Sequence, residues 1–315
     1  MTIHILEPER ATLHGRFSPS FAPVLEIEPG DTVRYRTLDV AWGLEPPTSP
    51  TAPRRKFEPR DPERDDGPAL VGPVAIRGAR PGMTLALEID VVRPAAWGWT
   101  YAGGGAGPLD AAFGLAEAPR EQLRWQLDAD AGIGRDQYGH TVYLRPFLGT
   151  IGMPPPEPGL HPVWPPRQWG GNMDCRELVA GSTLYLPIPV PGGLVSVGDG
   201  HALQGDGEVA GMAIECPMER VDLRFTLRED FPIAAPCAHT PVGWVTLGFH
   251  EDLDQAVIVA LNGMLDLIER EHHLARTSAM ALASLLVDLR VTQVVNGVRG
   301  IHAVLPHGAL QRYTS

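Results

Sequence analysis

The chain has 315 residues, enough for one large domain or two modest ones, and 43% of them are hydrophobic, as in ordinary globular proteins. Its net charge of −12 argues against a nucleic-acid partner, because phosphate binding needs clustered cations. No apolar run approaches the roughly 20 residues that span a bilayer, and MTIHILEPER at the start lacks a basic segment followed by an apolar one. We therefore expect a cytoplasmic protein with no membrane partner.

Short strands joined by Pro and Gly turns are predicted for the first half of the chain. Leu25 and Ile27 alternate before the turn at 29–31, and Val33 and Tyr35 alternate after it, which predicts strand, turn and strand. The same pattern returns at 74–90 and at 178–190. These turns suggest a repeated hairpin unit within an antiparallel sandwich or barrel.

The hydrophobic period changes near the C-terminal part of the chain. Apolar residues between 253 and 268 and between 279 and 289 recur at helical spacing, which predicts two helices. Strand-like alternation then returns in VTQVVNGVRGIHAVLP, where Asn296 and Gly297 are typical of a hairpin turn. The predicted fold is mainly β, of the α+β class, with an antiparallel sandwich or barrel-like body and a helical pair. We expect a β-rich body over 1–230 and a helical pair with a returning hairpin over 231–315, intertwined as one unit.

Acidic and histidine side chains concentrate between residues 170 and 215. Clustered Asp, Glu and His beside glycines is the composition of an oxygen and nitrogen metal site, and the candidates are Asp174, Asp199, His201, Asp206, Glu208 and Glu215. Asp199 and His201 are two positions apart, so on a strand both project from one face. Asp206 and Glu208 repeat that spacing, and pairing of the two segments as a hairpin would bring these groups together.

The same residues have a purely structural interpretation. Asp-Gly pairs are common turn formers, so Asp199-Gly200 and Asp206-Gly207 also suit hairpin turns. A histidine beside a turn is often a hydrogen-bonded structural residue. Glu215 lies in the apolar run MAIEC, where an unpaired carboxylate is costly to bury. From the residues alone, metal chemistry and turn chemistry both remain open.

Longer sequence motifs help to distinguish a metal site from structural turns in this region. GGNMD at 170–174, GDGHALQGDGEVAG at 198–211 and AIE at 213–215 together resemble the central signature of the acetamidase/formamidase family. The resemblance extends outward to HGRFSPSFAPVLEIEPGDTV at 14–33, GPVAIRGARPGMTLALEI at 72–89, GFHEDLDQA at 248–256 and DLRVTQVVNGVRGIHAVLP at 288–306. These segments follow the family's order and are spread along the chain from residue 14 to residue 306.

The resemblance implies hydrolysis of a short aliphatic amide, such as formamide or acetamide, by a mainly β homo-oligomer. It also implies a divalent metal, Zn²⁺ or Ca²⁺, that activates water. The residues carried over by this match are Asn172, Glu208 and Glu215 for catalysis, Asp174, His201 and Asp206 as metal ligands, and His14 and Asp39 in second rank with Asp199.

The sequence lacks the residues and motifs that other classes of amide hydrolase need. The only lysine, Lys56, lies in a charged segment, whereas Ser-Ser-Lys and Cys-Glu-Lys amidases need a catalytic lysine. Cys175 is an alternative nucleophile, but no Cys-His signature supplies its base, and no G-x-S-x-G motif is present.

Alternatives that keep the same site are a lactam or imide hydrolase, or a β-sandwich module that binds a metal or small molecule without catalysis. Residues 95–148 match no family motif, and their aromatic residues could line a larger pocket.

Overall fold

A computed structural model describes residues 1–105, 107 and 109–311. The largest sheet has nine strands that run, in spatial order, through β1 (Ile3–Leu6), β5 (Thr32–Tyr35), β17 (Met218–Arg228), β7 (Thr84–Pro94), β15 (Ser182–Pro187), β18 (Cys237–Thr240), β19 (Gly243–His250), β21 (Arg299–Pro306) and β20 (Asp288–Gln293). Strands from both sides of residue 230 therefore share one sheet. The predicted division into two parts stays a prediction.

The second sheet carries the polar residues of interest. Its strands follow the order β14 (Gly170–Asn172), β12 (Phe147–Gly152), β16 (Val195–His201), β6 (Leu70–Ile76) and β2 (Leu13–His14), and β4 (Leu25–Ile27) also pairs with β6. Smaller sheets consist of β11 (Thr141–Tyr143), β10 (Ile133–Asp136), β9 (Glu121–Asp128) and β8 (Trp97–Ala102), and of β13 (His161–Pro162) with β3 (Arg16–Phe17). Among the described strands, pairing is antiparallel except between β1 and β5 and between β4 and β6.

One hydrophobic core joins the two large sheets. Leu85 and Leu87 of β7 and Val195 and Val197 of β16 belong to the same buried cluster. Every residue of β16 is buried, so this strand lies between layers and its polar residues are held away from bulk solvent. The predicted mainly β fold with a helical pair is confirmed, and the strands of the described residues form no closed barrel.

The helices cover the outer part of the nine-stranded sheet. Helix α1 spans Leu253–His272 and α2 spans Arg276–Leu286, close to the ranges that the hydrophobic spacing predicts. The Asp252 side chain accepts a hydrogen bond from the Gln255 backbone N–H and so caps the start of α1. Ala260 and Met264 of α1 pack with Ala303 of β21 in a second core cluster. Neither helix within the described residues is long and apolar enough to cross a membrane.

The predicted hairpin repeat is wrong in its pairing. The turn at 29–31 does separate two strands, but β4 pairs in the second sheet and β5 in the nine-stranded sheet. The turn before β7 likewise joins β6 of the second sheet to β7 of the nine-stranded sheet. These turns therefore connect strands of two different sheets. A local turn sequence determines where the chain reverses direction, but it does not determine which sheet each flanking strand joins. The hairpin turn at Asn296-Gly297 is confirmed, since β20 pairs with β21 around it.

Candidate functional site

The second sheet gathers the polar residues because β14, β12 and β16 are neighbours. Thr150 of β12 lies opposite Asn172 of β14, and Phe147 of β12 lies opposite His201 of β16. Asp174 follows β14 directly, and its backbone N–H donates to the Gly149 carbonyl of β12 at 3.2 Å. The strand order thus places residues that are distant in sequence side by side.

Two sets of potential metal ligands share one histidine. Asp174, Asp199 and His201 form the first set, and His201, Glu208 and Glu215 form the second. Within each set the ligand atoms lie within 4.8 Å of one another, and all members are buried. The structure therefore brings together five of the six residues that form the predicted acidic and histidine cluster.

Carboxylate oxygens lie close to both nitrogens of the His201 ring. Nε2 lies 3.3 Å from Asp199 Oδ1 and 3.4 Å from Glu215 Oε2, and Nδ1 lies 3.9 Å from Asp174 Oδ1. The contact with Asp199 has hydrogen-bond geometry. Glu215 Oε1 accepts a hydrogen bond from the Ala213 backbone N–H at 2.9 Å, which fixes its carboxylate beside the ring.

Several buried polar atoms of the site have no hydrogen-bond partner. They are Asp174 Oδ1, His201 Nδ1, Glu208 Oε2 and Glu215 Oε2. Within the described part of the chain, no Arg or Lys forms an ion pair with any of the carboxylates in the two ligand sets. Unpaired buried carboxylates are costly, so this donor set fits a divalent cation that would supply the missing positive charge.

The ionisation of the site residues reflects the same crowding. Burial raises the pKa of Asp174 to about 7, while the charge of His201 opposes the rise. Burial, together with the charge of Asp174, raises the pKa of Glu208 well above its usual range, and burial also raises the pKa of Glu215. Burial disfavours protonation of His201, but the charges of Glu215 and Asp199 outweigh it and raise the His201 pKa well above 6.5. Burial and mutual repulsion thus both favour the protonated form of these carboxyl groups.

Backbone conformation also marks the site. Asp174, Asp199 and Glu208 have φ angles of 50°, 57° and 46°. Such left-handed values are uncommon outside glycine and cost energy. Strained residues of this kind cluster at functional sites, and here the strain falls on three acidic members of the ligand sets.

Gly149 allows the ligand atoms to meet at one point. A Cβ added there would lie 2.6 Å from both Asp174 Oδ1 and Asp199 Oδ2, and 2.7 Å from His201 Cε1. All three distances are shorter than real Cβ contacts. The first ligand set therefore depends on a residue without a side chain in the adjacent strand.

Amide and hydroxyl side chains orient Asp174. Asn172 Nδ2 donates to Asp174 Oδ2 at 2.7 Å, and the Asn172 Oδ1 atom accepts a hydrogen bond from the Thr150 hydroxyl. Asn296 Nδ2 donates to the same Asp174 oxygen. Gln204 Nε2 donates to the Asp174 carbonyl at 2.8 Å. Asn172, which the family resemblance places among the catalytic candidates, thus contacts Asp174 of the first ligand set.

A pocket of about 150 Å³ opens onto these groups. It is lined by Val40, Pro68, Trp164, Asn172, Asp199, His201, Glu208, Gly211, Met212, Glu215 and Asn296. A cavity of about this volume holds a molecule the size of benzene. Trp164 is 45% exposed, so an aromatic side chain of this pocket remains in contact with solvent.

The remaining predicted site residues lie elsewhere. Asp206 is exposed and belongs to neither ligand set. The predicted hairpin between its segment and β16 does not form, because β16 pairs with β12 and β6 and the chain beyond it is a loop. His14 is buried, with Nε2 3.0 Å from Ser196 Oγ and Nδ1 2.6 Å from the Arg16 carbonyl. Burial lowers the His14 pKa to about 4, as expected for a neutral structural histidine.

Asp39 lies behind the site. It accepts hydrogen bonds from Arg54 Nη1 at 2.6 Å and Trp99 Nε1 at 2.8 Å. The Trp99 backbone in turn pairs with Glu215 through two 2.9 Å hydrogen bonds. Asp39 is therefore placed to position the strand that supports Glu215. Trp99, from the segment 95–148, does not line the pocket at the ligand sets, but together with Tyr101 it lines a separate and larger pocket of about 480 Å³.

The alternative nucleophiles are poorly placed. Burial raises the pKa of the Cys175 thiol to about 12, whereas a nucleophilic cysteine needs a lowered pKa. Lys56 is exposed and lies outside both ligand sets and the pocket.

Some residues of the site are absent from the sequence-based prediction. Thr150, Gly149 and Asn296 come from segments where no cluster of acidic or histidine residues draws attention. Asn296 is recognisable in sequence only as part of a turn. The family resemblance over 288–306 includes Asn296, but it does not predict the contact between Asn296 and Asp174.

The chain is similar in sequence and in fold to proteins named as formamidases and acetamidases. A putative formamidase of Schizosaccharomyces pombe is 25% identical over 256 residues, which span 64% of this chain and 60% of that protein. This chain thus covers less than two thirds of that relative. The crystal structure of an acetamidase of Bacillus halodurans matches with a TM-score of 0.83 and 25% identity, covering 96% of this chain and 97% of that one. An acetamidase structure from Yersinia enterocolitica matches with a TM-score of 0.81 and 25% identity, covering 98% and 93% of the two chains.

The family assignment rests on a match over most of the chain. The model described as the Acetamidase/Formamidase family matches residues 4–164 and 159–243. These ranges include every residue of the two ligand sets, and the structural matches extend over nearly all of the chain. The protein therefore belongs to the acetamidase/formamidase family.

Proposed function

We propose that this protein is an amidohydrolase that cleaves a short aliphatic amide, such as formamide or acetamide, to a carboxylate and ammonia. The observation that carries the proposal is the pair of ligand sets around His201, with unpartnered buried oxygen and nitrogen atoms facing one another. Membership of the acetamidase/formamidase family supports the same activity. The pocket of about 150 Å³ favours a substrate of a few heavy atoms.

The residues present fit a divalent cation, Zn²⁺ or Ca²⁺. Asp174, Asp199 and His201 would hold it in the first set, with Glu208 and Glu215 offering further oxygens beside the same ring. Oxygen donors with one imidazole suit either ion. When bound, such an ion supplies Lewis-acid polarisation of a carbonyl and lowers the pKa of water.

The chain's own carboxylates would handle the proton. Hydrolysis adds a water oxygen to the carbonyl carbon, breaks the C–N bond and delivers one water proton to the departing nitrogen. Glu208 and Glu215 are the candidates for this transfer, because each has an unpartnered Oε2 atom and both line the pocket. Burial raises the pKa of each carboxyl, which suits a group that accepts a proton from water and then donates it to the amine.

Neighbouring residues would hold these groups in place. Asn172 and Asn296 donate to Asp174 Oδ2, which leaves its unpartnered Oδ1 directed toward the other ligand atoms. The Ala213 N–H holds Glu215 Oε1 and leaves Oε2 free. The reactive atoms are thus the ones that the surrounding structure leaves unpaired.

The direct test is release of ammonia from formamide and acetamide, and ring opening of a small lactam. Purified protein would be assayed as isolated, after chelation, and after addition of Zn²⁺ or Ca²⁺ to the chelated protein. Loss of turnover on chelation and recovery with one ion would support the metal-assisted reaction. Turnover that survives complete metal removal would exclude that mechanism, and metal binding with no turnover of any amide or lactam would favour a non-catalytic binding protein. Cytoplasmic location and homo-oligomeric assembly stay predictions.

A further inference from the structure

The turn between β20 and β21 contributes a side chain to the pocket. Asn296 lines the pocket together with Asn172, Glu208 and Glu215. It lies beyond residue 243, where the family match ends. Its contact with Asp174 uses only the Nδ2 atom of the amide.

The orientation of the Asn296 amide is fixed by its partners. Its Nδ2 atom donates to Asp174 Oδ2 and, at 3.2 Å, to the Asn172 backbone carbonyl. Both partners are acceptors, so the reverse orientation would place Oδ1 against two oxygens. The Asn296 Oδ1 atom is therefore the free end of the amide, and no described residue donates a hydrogen bond to it.

The turn itself is held in place. Gln293 Oε1 accepts hydrogen bonds from the backbone N–H groups of Val295 at 2.7 Å and Asn296 at 3.0 Å. The Gly207 N–H donates to the Thr292 carbonyl at 3.1 Å, and the Val294 N–H donates to the Gly207 carbonyl at 3.2 Å. These bonds join the turn that carries Asn296 to the loop that carries Glu208.

The pocket offers few neutral acceptors. Of its amide side chains, Asn172 already uses Oδ1 to accept from Thr150 and Nδ2 to donate to Asp174. The unpartnered oxygens of Glu208 and Glu215 belong to groups assigned to cation binding and proton transfer. Among the amides that line the pocket, Asn296 Oδ1 remains available for a donor on the substrate.

We propose that Asn296 is a specificity-determining residue whose Oδ1 atom accepts a hydrogen bond from the N–H of the substrate's amide nitrogen. The site would then select primary amides over amides whose nitrogen carries two alkyl groups and no hydrogen. A site built to pair with an N–H discriminates against analogues that lack it, because its own polar atom is left unpaired. This inference rests on the proposed amide hydrolysis.

The experiment compares acetamide with N,N-dimethylacetamide by acetate release, which both substrates share as product. Asn296→Ala should reduce kcat/KM for acetamide by about tenfold more than for the dimethyl amide, the effect of one lost hydrogen bond. Asn172→Ala is the matched control, because it removes the other side-chain donor to Asp174 Oδ2 and leaves Asn296 Oδ1 in place. It should lower both rates and preserve their ratio.

Two results would overturn the inference. One is an Asn296→Ala protein with the wild-type ratio of the two rates, and the other is an equal change of that ratio in Asn172→Ala. Asn296→Ser serves if the alanine variant does not fold, with far-ultraviolet circular dichroism as the check. A wild-type protein that hydrolyses no amide would instead refute the proposed function, so the two failures are distinguishable.

Discussion

Substitution of Gly149 by alanine tests whether the first ligand set depends on the empty space in β12. The added methyl would lie 2.6 Å from carboxylate oxygens of Asp174 and Asp199 and 2.7 Å from the His201 ring. Gly149 is not in the left-handed region of backbone conformation, so alanine is acceptable to the backbone. Any effect must therefore come from the methyl group itself.

The size of the effect follows from the contacts. Each of the three groups must move by several tenths of an ångström or more to reach an ordinary contact distance, and all three are buried. Overpacking of this kind costs about 1–3 kcal/mol of the free energy of unfolding. Displacement of catalytic groups by ~1 Å can reduce turnover roughly 100-fold, so activity should fall far more than stability.

The assay is ammonia release from acetamide beside urea unfolding of the same preparation. Gly205→Ala is the matched control, because a Cβ at Gly205 meets nothing within 4 Å in the loop that leads to Glu208. The control should keep wild-type turnover and stability. A Gly149→Ala protein with wild-type turnover would show that the ligand atoms do not need this close approach, and the reasoning would fail.

Three further predictions follow from the positions of other predicted residues. Glu208→Gln should reduce turnover by a factor of about 100 or more. Asp206→Asn should leave turnover within about twofold of wild type, because Asp206 is exposed and lies outside both ligand sets. Equal losses in the two variants would contradict the assignment of Glu208, and not Asp206, to the site. Cys175→Ala should retain amide hydrolysis, because the buried thiol has a pKa of about 12; loss of all turnover in the folded variant would restore the thiol as nucleophile. Burial lowers the His14 pKa from 6.5 to about 4, so as pH falls the imidazole is protonated in the unfolded chain before it is protonated in the folded one. The contribution of neutral His14 to the free energy of unfolding is therefore present above about pH 6.5 and is lost as pH falls toward 4. His14→Gln should flatten that loss by up to roughly 3 kcal/mol in urea unfolding between these pH values, and parallel curves for the two proteins would refute it.

The sequence was most informative where local spacing determines structure. The two helices and the turn at Asn296-Gly297 follow from periodicity and turn chemistry, which depend on neighbouring residues. The spacing of Asp199 and His201 also predicts a shared strand, and both do lie on β16. Local rules therefore predicted that Asp199 and His201 share a strand, and they predicted the helices and the last hairpin turn.

Features that depend on distant pairings were less accessible. Asp206 and Glu208 have the same spacing as Asp199 and His201, but their segment is a loop in which Glu208 turns inward and Asp206 remains exposed. The turn at 29–31 looks like a hairpin turn, although its two strands enter different sheets. Asn296 reaches Asp174 only because the last hairpin folds back over the second sheet. Such contacts arise from the assembled layers and leave no local pattern.

The order of strands in the nine-stranded sheet has a consequence for how the chain is made. The two edges come from the early strand β1 and the late strand β20. The interior strand β7 pairs with β17 and β15, which are synthesised much later. A nascent chain therefore leaves the ribosome with β7 lacking both of its neighbours, and pairings of such high sequence separation form slowly. Catalytic competence would arrive only when the hairpin carrying Asn296 emerges, so premature termination before that hairpin should yield protein that is both inactive and prone to aggregate.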